Sequence, residues 1–119
     1  MIERELVPLV AARFKALGEP GRLEVLQLLF PGEKSVGELA EATGRSQPNI
    51  SQHLASLTQA GLVEPRREGN RTYYSVTDPY LARICDAVCA SLEASARKTQ
   101  RQLRPLERGN VARAGRRRG

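Results

Sequence analysis

Ser35-Val36-Gly37-Glu38-Leu39-Ala40-Glu41-Ala42-Thr43-Gly44-Arg45-Ser46-Gln47-Pro48-Asn49-Ile50-Ser51-Gln52-His53-Leu54-Ala55-Ser56-Leu57 reads as two short helices joined by a tight turn. Ser35 and Glu38 have the S-x-x-E spacing of a capping box, which starts the first helix. Val36, Leu39 and Ala40 give that helix an apolar face, and Gly44 is placed to end it in a left-handed conformation. Ser46 caps the second helix, and Pro48 falls in its first turn, where a missing N–H costs nothing. Ile50, Leu54 and Leu57 recur at i, i+4 and i+7, so one side is buried. The other side carries Gln47, Asn49, Ser51, Gln52 and His53. This is a helix-turn-helix whose outward face is made of short polar groups that hydrogen-bond base edges and phosphates. Gln47 and Asn49 suit adenine, while Ser51 and His53 suit a base or a phosphate. Ser46 is both a cap and a candidate contact.

The residues that follow extend this reading. Gly61 closes the second helix, with Leu62 behind it in a Schellman-type arrangement. Leu62-Val63-Glu64-Pro65-Arg66-Arg67 and Arg71-Thr72-Tyr73-Tyr74-Ser75-Val76 flank Gly69-Asn70 and predict a β-hairpin. Its tip carries Arg66, Arg67 and Arg71. A basic hairpin directly after a recognition helix is a winged arrangement, in which these arginines and Arg45 are candidates for the phosphate backbone or minor groove.

Upstream, Leu6, Val10, Phe14 and Leu17 mark an amphipathic helix beginning near Val7 and ending near Gly18. A second helix starts after Glu19 with Pro20 at its first position. It is apolar almost all round (Leu23, Val25, Leu26, Leu28, Leu29, Phe30) and belongs in the centre of the fold. Downstream, Asp78-Pro79 starts a last long helix. Its Leu81, Cys85, Val88 and Leu92 step by four, three and four, the spacing of a helix–helix seam. The predicted fold class is mainly α with a small β-hairpin: four helices, two strands and a fifth helix. Leu6, Val10, Phe14, Leu81, Cys85, Val88 and Leu92 are the candidate homodimer interface, formed by the first and last helices. A two-fold dimer matches two half-sites one helical turn apart on double-stranded operator DNA.

The 119 residues amount to one folded domain over 1–103 and an Arg-rich tail over 104–119. The tail has six Arg and one Glu, so it supplies +5 of the formal net charge of +6. With almost nothing to bury, it is expected to be disordered. The folded part is nearly neutral, so charge alone is weak evidence for a nucleic-acid partner. No apolar run approaches a membrane span, and the acidic, charged N-terminus does not resemble a secretory signal. A cytoplasmic protein with no membrane partner is expected.

At this point the chain resembles a known family. Ser51 to Leu57 continuing to Ala60-Gly61-Leu62-Val63, then Arg66-Arg67-Glu68-Gly69-Asn70-Arg71 and Tyr73-Tyr74-Ser75-Val76, look like the ArsR/SmtB repressors. Phe14 to Leu23 is similar to that family's segment between its first two helices. The resemblance covers about residues 6–95. It implies a homodimeric winged helix-turn-helix repressor that leaves its operator when an inducer binds. The family's inducer sites do not carry over. Where one class has Cys-Val-Cys-Asp-Leu on the third helix, this chain has Ser35-Val36-Gly37-Glu38-Leu39. The class with Asp and His ligands on the last helix needs histidines, and His53 is the single one here.

Cys85 and Cys89 are the only thiols and lie i, i+4 on the last helix, on one face. Across a two-fold axis, two such pairs offer up to four soft ligands for As(III), Cd, Zn, Cu(I) or an iron–sulfur centre, with Asp86 and Glu93 as oxygen donors. Two other readings stand beside this one: small apolar residues in a dimer core, and thiols that sense redox state or sulfur species. A disulfide within one helix is disfavoured, because Cβ atoms at this spacing lie roughly 5–6 Å apart. Catalysis is not expected, since the chain has no phosphate-binding glycine loop, nucleophile elbow or paired carboxylates. The alternative to a metal-responsive repressor is a winged-helix regulator without a metal site, acting through redox chemistry or through protein contacts.

Overall fold

The computed structural model describes residues 1–114, of which 103–114 are given as helical backbone only. A 3-10 turn, Arg4–Leu6, leads into α1 (Val7–Leu17). There follow α2 (Pro20–Leu29), β1 (Lys34–Ser35), α3 (Val36–Thr43), α4 (Gln47–Gln59), β2 (Val63–Glu68), β3 (Arg71–Val76) and α5 (Leu81–Ala114). Met1–Pro79 forms one compact unit, and α5 belongs to a second that begins at Tyr80. The boundary expected at residue 103 falls within α5. The stretch 104–119, expected to be an unstructured tail, lies outside the fully described residues. Among the described residues, no helix is long and apolar enough to cross a membrane.

The helix ends follow local chemistry. The Glu19 carboxylate caps α2 by accepting from the Arg22 N–H at 2.9 Å, and Pro20 takes the first helical position. Ser35 and Glu38 form the full capping box of α3: the Ser35 N–H donates to Glu38 Oε1 at 2.8 Å and the Glu38 N–H to Ser35 Oγ at 3.2 Å. Ser46 Oγ caps α4 by accepting from the Asn49 N–H at 3.1 Å. At the far end of α4, Leu62 N–H donates to Leu57 O at 2.9 Å and Gly61 N–H to Thr58 O at 3.0 Å. With Gly61 at φ 77°, this is the Schellman arrangement that the spacing predicts.

The core is aliphatic. Val25, Leu26 and Leu29 of α2, Leu39 of α3, and Ile50, Leu54 and Leu57 of α4 are all buried. Each buried side chain of this kind stabilises by about 1.5–3 kcal/mol relative to exposure. The central helix α2 packs against α3 and α4, fixing the crossing of the helix-turn-helix. Leu62 and Val63 carry the core into the sheet.

Two features depart from the sequence expectation. The sheet has three strands rather than two, in the order β1-β3-β2. Lys34 and Ser35 pair with Tyr74 and Tyr73, a two-residue strand too short to leave a periodic pattern. Pro65 is tolerated because β2 is an edge strand. Along the 3-10 turn and α1, the stripe of Leu6, Val10, Phe14 and Leu17 buries only Leu17.

Candidate nucleic-acid interface

The start of α3, the first turns of α4 and the hairpin tip enclose an open cleft of about 640 Å³. Gln47 and Ser51 line it from α4, while Asn70, Arg71 and Thr72 line it from the hairpin. Gly37 belongs to the wall beneath Gln47, where an added Cβ would lie 3.9 Å from Gln47 Nε2. The cleft thus sets amide and hydroxyl groups on α4 opposite a guanidinium at the start of β3, groups suited to base edges and phosphates, with the Glu38 and Glu41 carboxylates on the α3 wall.

The other α4 residues differ in availability. Gln52 is exposed and lies on the outward face. Ser46 is exposed, but its hydroxyl is engaged as the cap. Asn49 is half-buried, and its Oδ1 accepts from Arg45 Nη1 at 3.2 Å. Arg45 in turn donates from Nε to Glu24 Oε1 at 2.9 Å, an ion pair to α2. Arg45 and Asn49 thus form a linked pair anchored on Glu24 rather than two free contacts.

His53 does not share the outward face, contrary to the sequence expectation. Its side chain is only 12% exposed and packs at the start of α2, with Nδ1 3.7 Å from Glu19 Oε1. Nε2 is buried without a hydrogen-bond partner among the described residues. The helical geometry explains this. Residue 53 lies three positions after Ile50 and four before Leu57, on the flank of the buried stripe. Glu19 is held below the ordinary glutamate range, first by the Arg22 backbone N–H, and also by the charge of His53 when protonated and by the Gly21 N–H.

The three hairpin arginines also separate. Arg66 is paired with Glu33 and with Glu68, each at 2.7 Å. These hydrogen bonds hold Glu33 below its ordinary pKa. Arg67 is exposed and makes no ion pair or hydrogen bond among the described residues. Arg71 is exposed and faces the cleft. Its charged form is reinforced chiefly by hydrogen bonding to Tyr73, with a smaller contribution from Glu38. Gly69 carries the positive φ of the turn, 64°, at the first of its two central positions. Glu33, Tyr73 and Glu24 organise these cations, and sequence spacing does not mark them because each acts across the fold.

The candidate interface residues of α1 and α5 are mostly open. Leu6 is 47% exposed and Phe14 58%, joined by Val7 and Leu9. Val10 is half-buried. On α5, Val88 and Leu92 are exposed and Cys85 is half-buried. Leu81 departs from the expectation: it is fully buried within the single chain and offers no surface to a second copy.

Cys89 is exposed, and both cysteines are free. Burial pushes the Cys85 thiol up, with smaller contributions from Cys89 and Asp86. Among the described residues, no three His, Cys, Asp or Glu side chains come together as a metal site.

Comparison with known proteins places this geometry. The family model for the bacterial regulatory protein, arsR family, matches residues 19–65. A probable mercury resistance operon repressor from Streptomyces lividans is 45% identical over 69 residues, 58% of this chain and 55% of that one. The match thus spans little more than half of that relative. A biofilm growth-associated repressor from Agrobacterium fabrum is 40% identical over 81 residues, covering 68% of this chain and 69% of that one. Among solved structures, one close in fold is the homodimeric winged helix-turn-helix DNA-binding domain of a possible ArsR-family regulator from Mycobacterium bovis. It superposes with a TM-score of 0.68 at 38% identity, covering 78% of this chain and 88% of that one.

Proposed function

The chain belongs to the arsR family of bacterial regulatory proteins, and on that footing we propose that it is a transcriptional repressor binding operator DNA as a homodimer. The observation that carries this reading is the cleft in which Gln47 and Ser51 on α4 face Arg71 on the wing. Gln47, Ser51 and Gln52 enter the major groove and read base edges. Arg67 and Arg71 hold the backbone beside the groove. His53, enclosed against α2, does not touch DNA.

The exposed apolar residues support the homodimer. Phe14 with its neighbours on α1, and Val88 and Leu92 on α5, offer surfaces suited to burial against a second copy. Two-fold pairing directs the two α4 helices at successive half-sites of a palindromic operator. The protein acts in the cytoplasm, where its DNA lies.

Cys85 and Cys89 are the candidate effector residues. One chain offers two sulfur donors, enough for a linearly coordinated ion such as Cu(I), whereas a three- or four-coordinate ion needs donors from the partner as well. Any inducer acting there must bind the DNA-free dimer more tightly than the DNA-bound one. The test is binding of the reduced protein to a duplex selected from a random library, with and without arsenite, repeated with Cys85→Ser and Cys89→Ser. Release by arsenite that the serine variants abolish supports the thiol site. Tight binding indifferent to arsenite keeps the repressor and removes As(III) as its effector.

A further inference from the structure

Arg66 is the most heavily partnered cation of the wing. Its Nε donates to Glu33 Oε1 at 3.0 Å and its Nη2 to Glu33 Oε2 at 2.7 Å, a two-point fork on one carboxylate. Nη1 donates to Glu68 Oε1 at 2.7 Å. The guanidinium also lies over the Tyr73 ring, 5.0 Å from its centroid. Its charged form is strongly favoured, first by Glu33 and then by Glu68.

The sheet register gives this cluster its meaning. Tyr73 lies on the central strand, opposite Arg66 of β2 on one side and Ser35 of β1 on the other. Glu33 stands just before β1, and Ser35 is the residue that caps α3. The fork therefore runs across the whole sheet, from the outer strand of the wing to the segment that launches the helix-turn-helix. Two carboxylates also surround the one guanidinium, so the cluster as a unit carries no positive charge to offer a phosphate. Arg71 differs, since no carboxylate lies within ion-pairing distance of it among the described residues.

We propose that Arg66 is a positioning residue of the DNA-binding surface and not a phosphate contact. It clamps the wing to the start of α3, so that Arg71 faces Gln47 and Ser51 across the cleft. This inference rests on the DNA-binding reading above.

The test is the salt dependence of binding, measured by fluorescence anisotropy on a duplex that the wild-type protein selects from a random library. A phosphate contact contributes about 0.9 to the slope of log K against log salt. Because the dimer carries each substitution twice, Arg71→Gln and Arg67→Gln each reduce the slope by about two units. Arg66→Gln weakens binding several-fold at every salt concentration, the cost of ordering an unclamped wing, and leaves the slope unchanged because Arg71 still reaches its phosphate in the bound state. Arg66→Lys keeps the charge but lacks the planar fork, and behaves like Arg66→Gln. The exchanged pair, Glu33→Arg with Arg66→Glu, binds more tightly than Arg66→Glu alone. Amide exchange over residues 66–73 in the DNA-free protein is faster in Arg66→Lys than in the wild type. A slope lowered by about two units in Arg66→Gln and restored in Arg66→Lys overturns the inference and leaves the repressor reading intact. A folded wild-type protein that selects no duplex overturns both.

Discussion

The imidazole of His53 occupies the space into which a side chain at Gly21 would project: a Cβ added to Gly21 would collide with Nε2 and lie 2.9 Å from Cδ2. The recognition helix is thereby seated on the first turn of α2. A glycine at this buried position is required by contact and not by backbone conformation.

Gly21→Ala therefore destabilises the fold by overpacking, by about 1–3 kcal/mol. His53→Ala removes the colliding group, so the double variant is more stable than the sum of the single effects predicts. Urea denaturation of the four proteins checks this. Strict additivity would show that residues 21 and 53 do not press on one another.

Acid weakens the fold through its capping and clamping carboxylates. Glu19, Glu33 and Glu38 all lie below the ordinary glutamate range, chiefly through the Arg22 backbone N–H, the Arg66 side chain and the Ser35 backbone N–H respectively. A lowered folded-state pKa means that the unfolded chain takes up protons first. The stabilisation is thus complete above the ordinary range and is lost as pH falls through it and the folded values. Denaturation midpoints are expected to be level near neutrality and to decline in acid. Glu33→Gln and Glu38→Gln should flatten that decline, and an unchanged decline in both would assign it to other groups.

Leu81 and Leu92 are expected to fail in different ways. Leu81 is fully buried, so Leu81→Ala lowers folding stability by about 2–5 kcal/mol. Leu92 is 64% exposed in the single chain. Leu92→Glu or Phe14→Glu instead shifts sedimentation from dimer toward monomer and leaves helix content near that of the wild type. Dimers that persist in both charged variants would place the interface elsewhere.

Cys85 should alkylate slowly at neutral pH. Burial raises its pKa, and the thiolate is the reactive form. The rate of its modification by iodoacetamide should keep rising well above neutrality, later than for free cysteine. A rate already level at neutral pH would mark a thiol activated by a nearby cation, as a redox sensor needs.

Much of this was legible in the sequence because it is local. Capping at Ser35 and Ser46, the glycines at 44 and 61, and the Ile50, Leu54 and Leu57 stripe are set by residues within four positions of one another. The roles of the wing arginines depend instead on distant partners, and that of His53 on its place beside the buried stripe. His53 has the chemistry of a DNA contact, but its spacing from Ile50 and Leu57 places it on the flank of the core. The three wing arginines look alike in sequence. Only the pairing of β1 with β3 brings Glu33 within reach of Arg66 and leaves Arg71 to the cleft. Leu81 fits a heptad step equally well whether it is buried within one chain or against a second copy.

The central claim is that the cleft between α4 and the wing reads operator DNA. The most direct measurement is selection from a random duplex library by the wild-type protein and by Gln47→Ala, Ser51→Ala and Gln52→Ala. The wild type is expected to select a palindrome with half-sites about one helical turn apart. Each variant relaxes preference at particular base pairs, while the salt slope stays unchanged. Identical base preferences in all four proteins, or no enriched sequence for the folded wild type, would contradict it.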